Sequence, residues 1–399
     1  MENLSDIRVL ELGEMVACPF ASRLLADMGA EVIKIEPPSG DISRRYGPFY
    51  KDEPHPDRSL LFIYLNINKK GITLNLGTKK GRELFKELIR EVDILLEDRR
   101  PGEMEEMGLG YGTLREINPS LIMTSITPFG QYGPHSRYKA YPLNKFHASG
   151  EGYILPGGTS LMHRPPVKAG RFVGEYEVGI GAALATLIAL FHRARTGEGQ
   201  HVDISHQEWG ISLNSVYLIR WSTEGVLYDR KAAGYPVMGM FKVKDGYVEF
   251  LLGEEHHWDN LRKFMGDPDW AKDERFKDRF SRAKHGRELN EKVAEWLKDK
   301  TKDYIYYEGQ KFKIPVGKVC TTEDIVRSEQ LKFRGYFKEV EHPGIGRFPF
   351  PSLPFKFSKG EWEFKNPAPS IGEHNTDVYG GILKLSKEEI AKLRRTGVI

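Results

Sequence analysis

Between Gly179 and Phe191 the chain carries no charge, and Ala, Leu and Ile crowd every face of the helix that this run predicts. No amphipathic stripe can be drawn on it, so it should be buried on all sides and central to the fold. His192, Arg193 and Arg195 follow, and Thr196-Gly197-Glu198-Gly199 stops the helix with basic groups in its last turn, where they complement the dipole. At the other end Glu175 and Glu177 lie on the approach to the N-terminus. Two readings of these carboxylates stay open. One is a capping or dipole-complementing group, and the other is an acidic nucleophile held at the mouth of a buried helix.

The first 130 residues alternate strand and helix. Ile7 to Leu12 reads as a strand ending at Gly13, a helix follows from about Pro19 to Met28, and Glu31 to Ile35 is the next strand. A second unit runs from the strand Gly71–Leu76 through the helix Gly81–Glu91 to the strand Val92–Leu96, then a short helix near Leu114 and the strand Leu121–Ile126. This predicts an α/β fold with a parallel sheet covered by helices on both faces and right-handed crossovers. The turn after the first strand, GEMVACP, lacks the G-x-G-x-x-G fingerprint, which disfavours NAD.

From Pro128 to Gly170 the periodicity gives way to Gly, Pro, Tyr and His, including Gly157-Gly158, so a long irregular connection is expected. After the apolar helix come the strand His201–Ser205 and a helix with Trp209. Residues 225–320 carry a hairpin signal around Asp245-Gly246 and charged helices near Trp258 and Trp296, and read as a smaller α+β domain. Residues 1–224 form the large domain, and 321–399 return to it. Phe348 to Phe357 is too rich in Pro for a regular element, while Ser386 and Glu389 form a capping box for a last helix ending near Arg395.

A chain of 399 residues with 40% hydrophobic content can bury a large core. Its 59 basic and 56 acidic residues leave a formal charge of +3, which gives no footprint for nucleic acid. Cys18 and Cys320 are too few for a disulfide framework, and the apolar helix is too short and too rich in Gly and Ala for a membrane span, so a cytoplasmic protein is expected. Metal binding finds no support: His256-His257 is a solvated pair without H-x-x-x-H spacing, and His135, His147 and His163 lie in the irregular stretch. There is no Walker loop and no G-x-S-x-G elbow.

Six ordered blocks resemble a known family: Leu24 to Glu36, Asn68 to Ile72, Arg100-Pro101-Gly102, Gly130 to Pro134, Arg195 to Gln200, and Ala368 to His374. Together they are similar to the class III CoA-transferases, the formyl-CoA transferase (CaiB/BaiF) type, in register from about Asp6 to Ile399. The resemblance implies a Rossmann-like large domain, a small domain, and two chains interlaced like linked rings. It also implies a carboxylate that attacks an acyl-CoA thioester, giving an anhydride and then an enzyme–CoA thioester that passes CoA to an acceptor acid. The family nucleophile is an Asp four residues before the Gly of the buried helix, and counting back from Gly179 places Glu175 there, one methylene longer.

The resemblance places CoA contacts at Val16, Ala17, Leu74, Asn75, Leu76, Gly77, Asp98, Arg99, Arg100, Lys139 and Tyr141. CoA thioester is expected as substrate, with no permanent cofactor and no metal. Departures fall on this set: Pro37 and Glu106 stand where relatives carry Arg, and Asp98 stands where they carry Asn, which removes positive charge and adds negative. Arg44, Arg45, Arg99 and Arg100 are the candidates to compensate. Two roles follow for this chain: a CoA-transferase subunit using Glu175 on an organic acid and an acyl-CoA such as succinyl-CoA, or a non-catalytic partner in a heteromer like the succinyl-CoA:benzylsuccinate CoA-transferases. Racemisation, known in the same fold, needs a His where Tyr141 stands. Tyr153, Phe172, Tyr176, Tyr235 and Phe241 would suit an aromatic acceptor but read equally as core or interface residues, and Gly234 and Gly239 frame a glycine loop like that of relatives.

Overall fold

Along the strand Arg8–Leu12 (β1), Val9 and Leu10 point to opposite faces of a sheet and both are fully buried. The same holds in β2 (Glu31–Glu36), β4 (Ile94–Glu97) and β5 (Ile122–Thr127), which with β3 (Lys69–Thr73) and β6 (His201–Ser205) form a parallel sheet in the order β3-β2-β1-β4-β5-β6. One face packs Val9, Val32, Ile94 and Ile122 against Leu25 and Ala182. The other packs Leu10, Ile33, Leu95 and Met123 against Leu84, Leu88 and Ile390. Two-sided burial explains why these strands are nearly continuous apolar runs.

The structure, a computed structural model, describes residues 3–156, 164–228 and 237–399. The chain divides into two units, one of residues 1–152, 168–219 and 334–399, the other of residues 153–167 and 220–333. The smaller unit holds an antiparallel sheet of Met238–Val243 (β7), Gly246–Leu251 (β8) and Val316–Lys318 (β9), with helices around Trp258 and Trp296. Val248, Phe250, Trp258, Leu261, Leu289, Val293 and Ile305 make its core.

The apolar run belongs to the helix Val173–Thr196, which starts six residues before Gly179 and places Glu175 inside its first turn. At 24 residues it is long and apolar enough to cross a membrane by length and composition, contrary to the expectation from the uncharged run alone. Its packing is that of a core helix. A Cβ on Gly179 would lie 2.8 Å from the Ala17 carbonyl oxygen, and one on Gly181 would lie 2.6 Å from the Trp209 ring, so only glycine permits these approaches. Burial on all sides is not what the chain achieves: Ile180, Leu184, Ile188 and Phe191 are 50–66% exposed. Spaced four, four and three apart, they make one apolar stripe opposite the sheet.

Two further expectations need correction. The stretch 128–170 contains the helix Pro142–Ala148, started by Pro at its first position and by Asn144 Oδ1, which accepts the Tyr141 N–H at 3.1 Å. Phe348 to Pro351 is also regular, as part of strand Gly346–Pro351 (β11) paired antiparallel with Phe337–His342 (β10). Pro349 and Pro351 occupy alternate positions, so both missing N–H groups fall on the outer edge of this two-stranded ribbon. The tail then straps β3: Asn375 Oδ1 accepts the Thr73 N–H at 2.9 Å, Tyr379 Oη donates to the Thr73 carbonyl at 2.8 Å, and Asn75 N donates to the Val398 carbonyl at 2.8 Å.

Charge is buried across the sheet centre. Glu11 of β1 accepts from Lys34 Nζ of β2 and from Lys69 Nζ of β3, each at 2.8 Å, with all three side chains excluded from solvent. Burial alone would raise the Glu11 pKa, but the two ammonium groups outweigh it and hold it low. Lys34 also meets Asp41 at 2.8 Å, whereas burial draws Lys69 down to about 8. Replacing Glu11 with Gln leaves Lys34 with Asp41 but strips Lys69 of its carboxylate, and should cost about 3 kcal/mol at neutral pH. Because the folded-state pKa is lowered, the wild type loses this advantage only as pH falls through the carboxylate range. Urea unfolding of Glu11→Gln and wild type at pH 7 and pH 4 measures both.

Candidate active site

The carboxyl ends of parallel strands form a crevice where strand order reverses, here between β1 and β4. The chain leaves β1 through Gly13–Val16, with Met15 at a left-handed φ of 60°, and enters the helix Ala17–Asp27. Asp98 follows β4 and accepts the Glu14 N–H at 2.9 Å, so the segment leading to Val16 and Ala17 is brought beside Asp98 and Arg99. Leu74 to Gly77 leave β3 beyond β2 and are held by the tail and by Arg82, which donates to the Leu76 and Gly77 carbonyls at 2.9 and 3.1 Å. Lys139 and Tyr141 are exposed on the segment that leads into the helix Pro142–Ala148.

Burial pushes Asp98 up to about 8, against the opposing effects of the Glu14 amide and Arg99. Near neutral pH its carboxyl is therefore mostly protonated and uncharged, so the substitution adds much less negative charge than its identity suggests. Arg44 offers no compensation. It is 2% exposed and spent on Glu36 at 2.6 and 2.7 Å, on Asp57 at 2.9 Å and on the Pro369 carbonyl at 2.7 Å. Arg45 and Arg100 remain exposed, and Arg99 is partly so.

Glu175 lies in a pocket lined by Lys145, Phe146, Ser149, Glu151, Glu177, His206 and Trp209, whose free interior of about 10 Å³ admits no more than a water molecule. Its Oε1 is 3.2 Å from Lys145 Nζ, and the residue is 6% exposed. Lys145 Nζ is also 3.3 Å from His206 Nε2. Burial, followed by the Lys145 charge, holds the His206 pKa well below the usual imidazole value, so its ring is a neutral acceptor. Glu177 is raised by burial and then by the Glu175 charge, and its Oε2 is buried without a hydrogen-bond partner among the described residues. Glu151 is raised by burial and then by Glu177.

Lys145, His206, Glu151, Glu97, Ser125 and His201 escaped the sequence reading. Burial pushes Glu97 up to about 7 although Ser125 opposes it, and Ser125 Oγ is 2.8 Å from His201 Nε2. The available signal was a polar residue at the carboxyl end of an apolar strand, as in Ile94-Leu95-Leu96-Glu97. Of the aromatic candidates, Tyr176 packs edge-on against Phe20 at 4.9 Å, Phe172 lies 5.7 Å from Tyr46, and Phe241 is a core residue of the smaller unit. Tyr235, Gly234, Gly157, Gly158 and His163 lie outside the described residues. Among the described residues no cluster of His, Cys, Asp or Glu is suited to a metal.

The profile described as CoA-transferase family III matches residues 4–375. The chain belongs to this family. A CoA-transferase of Chloroflexus aurantiacus, succinyl-CoA–D-citramalate CoA-transferase, is 34% identical over 99% of this chain and 98% of its own. The alpha subunit of succinyl-CoA–L-malate CoA-transferase from the same organism is 31% identical over 99% of this chain and 92% of its own. A crystal structure of a CaiB/BaiF family protein from Brucella suis superimposes with a TM-score of 0.83 at 29% identity, covering 94% of this chain and 98% of that one. The α/β architecture with its six-stranded parallel sheet is that of the class III CoA-transferases, and the protein is an enzyme of that kind.

The raised Asp98 pKa has a measurable sign in this CoA-transferase. A carboxyl whose folded value lies above its unfolded value contributes stability that is complete below the unfolded value and lost as pH rises to the folded one. Asp98→Asn should therefore gain on the wild type between about pH 4 and pH 8, by at most about 1.4 kcal/mol per unit, and keep a constant advantage above. Chemical denaturation of both proteins from pH 5 to pH 9 checks the slope.

Proposed function

We propose that this CoA-transferase moves CoA from succinyl-CoA to a 2-hydroxy dicarboxylic acid of the citramalate or malate kind, with Glu175 as nucleophile. The observation that carries the reading is the placement of the Glu175 carboxylate in the first turn of the central helix, beside the Lys145 ammonium at 3.2 Å, and the reading requires the water-sized pocket around it to open for the thioester. The acids are those named for the Chloroflexus aurantiacus relatives. In the reaction a Glu175 oxygen attacks the thioester carbonyl carbon, a C–O bond forms, the C–S bond breaks, and the CoA thiolate leaves with the charge. The thiolate then attacks Glu175 Cδ, a C–S bond forms and the anhydride C–O bond breaks, releasing the donor acid as its carboxylate. The acceptor carboxylate reverses both steps, and no net proton is consumed.

The segments Gly13–Ala17, Leu74–Gly77 and Asp98–Arg100 form the CoA face of this reading, because three strands deliver them to the carboxyl edge of one sheet. Arg45, Arg99, Arg100 and Lys139 supply charge for the CoA phosphates. A second chain, interlaced with the first, covers the stripe Ile180, Leu184, Ile188 and Phe191, whose exposure on one chain asks for a partner. Residues 220–333 serve as the small domain.

A heteromeric role is the second reading, favoured by the alpha-subunit relative and by Glu in place of Asp at the nucleophile position. Expressed alone and assayed with succinyl-CoA and D-citramalate or L-malate, the chain should turn over, and Glu175→Gln should lower kcat by roughly a thousandfold or more. Glu175→Asp should retain measurable turnover. An inactive chain that gains activity only with a second family member, whether or not Glu175 is replaced, would establish the partner role instead.

A further inference from the structure

We propose that Lys145 is a positioning residue for CoA transfer, holding Glu175 while it is a carboxylate and passing its ammonium to Glu177 once Glu175 is acylated. This rests on the reading of Glu175 as nucleophile. The helix Pro142–Ala148 carries Lys145 into the pocket, where it is 14% exposed on its side chain and lies between Glu175 Oε1 at 3.2 Å and the neutral His206 Nε2 at 3.3 Å. Among the described residues it is the one ammonium lining the pocket, against the three carboxyl groups of Glu151, Glu175 and Glu177.

Charge accounting makes the exchange necessary. When Glu175 becomes an anhydride and then a thioester, its negative charge departs first with the thiolate and then with the released acid. Lys145 is then a largely buried ammonium whose remaining contact at 3.3 Å is a neutral imidazole, a strongly unfavourable arrangement unless another carboxylate turns to it. Glu177 lines the same pocket, two residues along the same helix, with Oε2 buried and without a partner among the described residues. Its pKa is raised by burial and by the Glu175 charge, and acylation removes that second cause. With Glu175 neutral, the unpartnered Glu177 Oε2 is the carboxyl oxygen in the pocket free to take the Lys145 ammonium. The longer Glu side chain makes such an anchor useful, because the extra methylene adds a rotation that misplaces the attacking oxygen unless one oxygen is tied.

The test uses the full chain with succinyl-CoA as probe and reads both steady-state turnover and the fraction of enzyme carrying covalent CoA, by intact mass after rapid acid quench. Lys145→Met should lower kcat by roughly ten- to a hundredfold with the KM for succinyl-CoA changed less than about threefold, and Lys145→Arg should recover part of the loss. Glu177→Gln should lower the covalent fraction at least about threefold, because the acylated state has lost its counterion. It carries the test if Lys145→Met does not fold. Wild-type kcat in Lys145→Met, or an unchanged covalent fraction in Glu177→Gln, overturns the inference while Glu175→Gln remains devoid of adduct. Covalent CoA persisting in Glu175→Gln removes the nucleophile reading itself.

Discussion

Glu11 ties three neighbouring strands together from a single carboxylate. It binds Lys34 of β2 and Lys69 of β3, and its Oε2 also accepts from Ser22 Oγ on the first helix at 2.6 Å. Because all three charged side chains are dry, their geometry has to be satisfied together: Lys69 further donates to the Pro19 carbonyl and to Asn66 Oδ1, and Lys34 to the Gly13 carbonyl. The consequence reaches the functional edge. Gly13 begins the turn after β1, and Asp41 and Glu36, joined to Lys34 and Arg44, fix the loop after β2. The crevice walls are rigid because the ions beneath them have no water to fall back on.

That rigidity has a price in charge. Arg44 would serve a phosphate site if it were free, but it is consumed in holding Glu36, and its guanidinium lies 3.6 Å above the Phe62 ring. Cationic residues near the crevice in sequence are therefore of two kinds, structural and available, and Arg45, Arg100, Lys139 and in part Arg99 are of the second. Asp98 works in the opposite direction: a residue acidic by name is made nearly neutral by its enclosure. Formal charge read along the chain misjudges both.

Legibility in the sequence followed the same divide. Alternating apolar strands and amphipathic helices announced the parallel sheet, and six motif blocks announced the family, because both depend on local pattern. The helix Pro142–Ala148 and the strand through Pro349 and Pro351 did not show, since proline signals a break whether it starts a helix or lies on the free edge of a ribbon. Glu175, the proposed nucleophile, is the position that counting back from Gly179 picks out. Lys145 and His206 could not, because they come from segments 30 residues before and 31 after it, and only tertiary packing brings Nζ to both. The exposed stripe on the central helix was equally hidden: an apolar run says that burial is wanted, not which chain provides it.

The tail that straps β3 has a consequence for synthesis. Thr73 is held by Asn375 and Tyr379, and Asn75 by Val398, so the edge of the six-stranded sheet is sealed by residues made some 300 positions after it. The nascent N-terminal half waits through some 300 residues of translation with that edge open, and the whole of segment 220–333 is made in the interval. Truncation before His374 therefore uncovers a strand that was among the earliest to be made.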